Sequence, residues 1–122
     1  MVISTNNTSK NYNIMEKYQP DEKKIASIRA QYYGLKFNLD EYRKGFRSKE
    51  FKYEFSDKQK NDTKYQYGFL KRTIRSSVRF LITYNGADKE LLKDAFFCRY
   101  IDMGTRWIIL KHISKQPLFE WL

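Results

Sequence analysis

The sequence predicts a mostly α-helical fold, a small single-domain bundle of four to five helices, and three observations carry that expectation. Residues 64–83 place their apolar side chains at helical spacing, two other segments open on helix-capping residues, and Asn85-Gly86 marks a sharp turn between apolar runs. With 122 residues, 41% of them hydrophobic and 17% aromatic, the chain can bury one modest core, which argues against disorder. The alternative is an α+β fold with short strands near 51–55, 78–84 and 106–113, the helix between the last two then being a crossover.

Residues 1–19 are rich in Asn, Thr, Ser and Lys with scattered apolar positions, so a flexible tail is expected ahead of a compact domain over 20–122. Pro20, Asp21 and Glu22 open a first helix near 21–33, with Ile25, Ile28 and Tyr32 at 3–4 spacing and Gly34 able to close it in a left-handed conformation. Asn38 with Glu41 forms a capping box, and Phe37 and Tyr42 the hydrophobic staple, of a second helix reaching at least Arg47. Phe51, Tyr53 and Phe55 alternate with Lys52 and Glu54, which fits a short strand or a continuing helix. Ser56 to Asp62 reads as a charged loop, with Asp62 or Thr63 capping the long helix that follows. After the Asn85-Gly86 turn, Asp88 caps a helix that turns Leu91, Leu92, Ala95, Phe96 and Met103 inward and ends near Gly104. Trp107 to Ile113 is a short helix or a buried strand, stopped by Pro117.

Charge supplies the functional signal. Lys and Arg number 24 against 14 Asp and Glu, for a net charge of +10, and residues 41–79 carry +7 of it. Such a balance favours polyanionic partners. Wound as a helix, residues 64–83 gather Lys64, Lys71, Arg72, Arg75 and Arg79 into an arc about 100° wide, with Tyr67, Leu70, Ile74, Ser77, Val78 and Leu81 on the other side. A basic stripe on a core-facing helix can follow a line of phosphates, where guanidinium groups bind phosphate oxygens in pairs. Arg43, Lys44 and Arg47 add to it from the preceding helix, and Tyr65 projects on the basic side, where it can stack on a base. A solvated face serving solubility would show the same charges. The expected role is a non-enzymatic nucleic-acid-binding protein, for RNA or DNA, working through phosphate contacts. The alternative is a small inhibitor or accessory subunit that docks on a larger nucleoprotein complex through its basic surface.

Other classes find little support. Neither a secretory leader nor a long apolar run is present, so a cytoplasmic protein without a membrane span is expected. Cys98 stands alone, which excludes an internal disulfide, and on an apolar helix face it reads as a small core residue. His112 is the one histidine and lies in an apolar segment, so no zinc site can be built from soft ligands, and neither metal nor cofactor is expected. Asp40 with Glu50-Phe51-Lys52 has the acid, acid-x-lysine layout of some magnesium nucleases, but the helix dipole already accounts for an acid at Asp40. A helix-turn-helix reading of 89–113 fails because it offers Ile108, Ile109 and Leu110 where polar base-reading side chains are needed. The abundance of Asn, Lys and Tyr suits an AT-rich genome such as a phage or mobile element.

Overall fold

A computed structural model describes residues 18–115. Within them the chain forms four α-helices and a π-helical turn: α1 (Glu22–Phe46), the π turn (Glu50–Glu54), α2 (Asp57–Thr83), α3 (Lys89–Phe97) and α4 (Met103–Ser114). No strand occurs among the described residues, so the mostly α-helical bundle forms and the α+β alternative does not. Residues 51–55 run through the π turn, 78–84 close α2, and 106–113 lie inside α4. Phase explains the first of these. Phe51 is buried and Phe55 half-buried while Tyr53 is 77% exposed, whereas a strand would put all three on one side.

α1 is one helix of 25 residues rather than two. Asp21 caps it, accepting a hydrogen bond from the Lys24 amide at 2.8 Å. Its buried side chains, Ile25, Ile28, Tyr32, Leu35 and Leu39, keep a 3-4-3-4 spacing straight through Gly34. This stripe overrides both the expected stop at Gly34 and the expected start at Asn38. A mid-helix glycine costs about 1 kcal/mol, whereas each fully buried aliphatic side chain contributes about 1.5–3 kcal/mol. α2 also begins earlier than expected. Ser56, not Asp62 or Thr63, is its N-cap: the Ser56 hydroxyl accepts from the Gln59 amide at 3.2 Å and the Gln59 side chain accepts from the Ser56 amide at 2.8 Å. That reciprocal box secures a first turn without apolar side chains.

α1 and α2 run antiparallel, as their cross-links require: Gln31 meets Ser77 at one end and Tyr42 meets Gln66 at the other. Between them lie Ile74, Val78 and Leu81 of α2, closed over by Leu91, Leu92 and Ala95 of α3 and Ile109 of α4. The turn at Asn85-Gly86 is a Schellman motif. Asn85 takes a left-handed φ of 55°, its amide donates to Ile82 O, and the Gly86 amide donates to Leu81 O. Gly86 is required by space rather than by φ, since a Cβ there would stand 2.7 Å from Ile25 Cγ2.

Asp88 caps α3 as expected, but the helix ends at Phe97 instead of near Gly104. Met103 therefore opens α4 and is 64% exposed rather than inward-facing. Two features place the break. Asp102 caps α4 through the Thr105 amide, and Arg106 donates to Phe96 O and Cys98 O, taking up carbonyls at the end of α3. Cys98 is buried, at the C-cap of α3 rather than within it. Of the expected tail, Tyr18 stacks edge-on against Tyr84, with ring centroids 5.4 Å apart. Residues 1–17 and the expected stop at Pro117 lie outside the described residues. No helix among the described residues is long and apolar enough to cross a membrane.

Candidate nucleic-acid interface

The basic stripe of α2 flanks the core rather than opposing it. At about 100° per residue, Lys64, Lys71, Arg72, Arg75 and Arg79 centre about 120° from the buried row of Ile74, Ser77, Val78 and Leu81. The C-terminal end of the stripe consequently borders the α3–α4 turn. Arg75 Nε donates to Tyr100 O at 3.0 Å, and Arg79 Nε donates to the hydroxyl of fully buried Thr105 at 2.9 Å. Asp102 completes the contact, 3.3 Å from Arg79 and 4.0 Å from Arg75. Hydrogen bonding to Thr105 is the main cause that holds the Asp102 carboxyl below its usual range, and Arg79 adds to it. With Arg106, these arginines clamp the turn over residues 96–105 from both sides.

The N-terminal part of the stripe is placed differently. Lys64 and Arg72 are exposed, and neither makes a hydrogen bond or ion pair among the described residues. Lys71 Nζ sits 4.8 Å above the Tyr67 ring, a cation–π contact, and no acid among the described residues pairs with it. Tyr67 joins Lys71 to α1 through ring contacts with Tyr42 and Phe46, and to the α3–α4 turn through Tyr100. From α1, Arg43 acts electrostatically on the Tyr100 hydroxyl, and Arg47 follows one turn later, exposed. Lys44 differs from both, being paired with Glu41 at 3.0 Å. Of the nine sequence-predicted site residues, Arg43, Arg47, Lys64, Lys71 and Arg72 thus carry charge without an acidic partner among the described residues. Arg75, Arg79 and Lys44 have internal acidic partners, and Tyr65 is 70% exposed.

Two tyrosine–aspartate contacts fix α1 against the rest of the bundle. The Tyr32 hydroxyl donates to Asp94 Oδ1 at 2.5 Å, and Lys36 Nζ donates to both Asp94 oxygens at 2.8 Å. The Tyr100 hydroxyl donates to Asp40. Burial, then the adjoining carboxylates, push both phenols well above their ordinary value. Burial alone would raise the Asp94 carboxyl, but the hydrogen bonds from Lys36 and Tyr32 outweigh it and hold it below its usual range. Asp40, read from sequence beside Glu50 as an acid of a nuclease layout, is therefore engaged by Tyr100.

Sequence reasoning missed a groove of about 640 Å³ between α1 and α2, lined by Asn38, Glu41, Tyr42, Tyr65, Gln66, Phe69 and Leu70. Its one visible signal was Phe69, four residues after Tyr65 and on the side of α2 that the core does not use. No protein-family model matches the chain, and neither curated proteins nor solved structures give a significant match.

Proposed function

We propose that this protein is a non-enzymatic nucleic-acid-binding protein of the cytoplasm that holds RNA or DNA through its phosphates. One observation carries the reading. Once the internally paired arginines are set aside, five cations from two adjacent helices, Arg43 and Arg47 of α1 with Lys64, Lys71 and Arg72 of α2, have no acidic partner among the described residues. A purely solubilising surface gains nothing from leaving like charges uncompensated on neighbouring helices, whereas a phosphate backbone requires such cations. The rigid helical pair supplies the positioning, and phosphate contacts carry no sequence information, which favours binding with little sequence preference.

Fluorescence anisotropy of labelled strands across a salt series tests this. Four or five phosphate contacts give a fall in log Kobs of about 3.5–4.5 per decade of salt on a duplex, and about 3–3.5 on a single strand. Binding at low salt with such a slope is expected, and absence of binding at low salt would refute the reading. A second reading, a small inhibitor or accessory subunit docking on a larger nucleoprotein complex, draws on the other end of the bundle. Met103, Trp107 and Leu110 form an exposed i, i+4, i+7 row on α4, the kind of apolar stripe that protein partners cover. Tight stoichiometric capture of one protein, with weak binding to naked strands, would favour it.

A further inference from the structure

We infer that the groove between α1 and α2 receives an unpaired nucleobase, so that single-stranded nucleic acid is the favoured ligand. The inference rests on the phosphate-binding reading above and adds to it the substrate class. Tyr65 and Phe69 stand one helical turn apart, 70% and 54% exposed, and among the described residues neither ring touches another ring. Their neighbours Tyr42 and Tyr67 are, by contrast, spent on ring–ring contacts within the fold. Two large aromatic side chains held in water without a partner cost hydrophobic free energy that a stacking ligand would recover.

Three further features select a base over another flat apolar group. Gln66 accepts a hydrogen bond from the Tyr42 hydroxyl through Oε1, which leaves its Nε2 without a partner among the described residues, and the Asn38 amide is likewise unpaired. Amide groups beside aromatic rings match the donors and acceptors on a base edge. Gly68 lies between the two rings in sequence, and a Cβ added there would meet only the Arg72 guanidinium, at 3.8 Å. The guanidinium therefore lies over the open backbone next to the rings, so a phosphate flanking a stacked base would meet a cation there. The acid lining the groove, Glu41, is paired with Lys44, which lowers its repulsion of phosphate. A base held in duplex stacking cannot enter, and this separates single strands from duplexes.

The test uses the full chain and three labelled ligands of equal charge per strand: an ordinary 12-nucleotide single strand, the same strand with abasic sites, and its duplex, compared per strand. Wild-type protein should bind the ordinary strand at least about ten-fold tighter than the abasic strand. Tyr65→Ala with Phe69→Ala should erase that difference while leaving the abasic affinity and the melting temperature unchanged. Tyr65→Trp should retain affinity, and its fluorescence should be quenched by the ordinary strand but not by the abasic one. Equal wild-type affinity for ordinary and abasic strands, with both binding, would overturn the base site and leave the phosphate reading standing. A duplex bound as tightly as the single strand would do the same. Binding to none of the three would overturn both.

Discussion

Replacing Arg75 and Arg79 together by Gln should cost stability rather than polyanion affinity, while replacing Lys64 and Arg72 should do the reverse. The first pair loses four contacts, of which the 4.0 Å approach of Arg75 to Asp102 is too long to count for much. The half-buried Arg75 guanidinium gives up a charged hydrogen bond to Tyr100 O, worth about 1–1.5 kcal/mol at this exposure. Arg79 gives up its bond to the buried Thr105 hydroxyl, about 1 kcal/mol, and its partly exposed pairing with Asp102, about 0.2–1 kcal/mol. Together these make about 2–3.5 kcal/mol, which lowers the melting temperature of a domain of this size by roughly 7–20 °C. Lys64 and Arg72 have no hydrogen-bond or ion-pair partner among the described residues, so Lys64→Gln with Arg72→Gln should stay within about 0.5 kcal/mol of wild type. Thermal and urea unfolding followed by helical circular dichroism reads the difference directly. Equal stability of the two double variants would refute the clamp, and with it the division of the stripe into structural and exposed halves.

Gly34→Ala should stabilise the protein by about 1 kcal/mol in urea unfolding, because Gly34 lies mid-helix with nothing within 4 Å of an added Cβ; a loss would mean that α1 is interrupted there. Gly86→Ala should destabilise by about 1–3 kcal/mol in the same assay, since its Cβ would press on Ile25 and Leu81. Stability should form a plateau in pH with a fall on either side. The raised phenols of Tyr32 and Tyr100 contribute below their ordinary pKa near about 10, and that contribution is lost as pH rises through their folded values. The depressed carboxyls of Asp94 and Asp102 contribute above about 4 and are lost as pH falls through their folded values. Urea midpoints from pH 3 to 11 check this, and Tyr32→Phe should weaken the alkaline limb.

Much of the bundle was legible because its signals are local. The helix start after Pro20, the Asp88 cap, the Asn85-Gly86 turn and the apolar row of α2 are each set by residues within a few positions of one another, and all four stand in the structure. The errors arise where two local signals compete or where the decisive contact is distant. Gly34 and Asn38 are sound stop and start signals, yet the row from Ile25 to Leu39 buries against α2 and α3, and that long-range packing outweighs them. The end of α3 turns on Arg106, whose carbonyl partners lie 8 and 10 residues earlier. Arg75 and Arg79 look like surface charges on a helical wheel, because their partners Tyr100, Asp102 and Thr105 come from a turn more than 20 residues away. The groove was invisible for the same reason, since it exists only once α1 and α2 are antiparallel.

The most direct measurement of the interface is an amide NMR titration of the full chain with a 12-nucleotide single strand at low salt. The binding account expects the largest shifts over residues 43–47 and 64–72, reversed by added salt, with residues 88–114 nearly unmoved. Shifts concentrated instead at 75–79 and along α4, or scattered evenly over the surface, would contradict it.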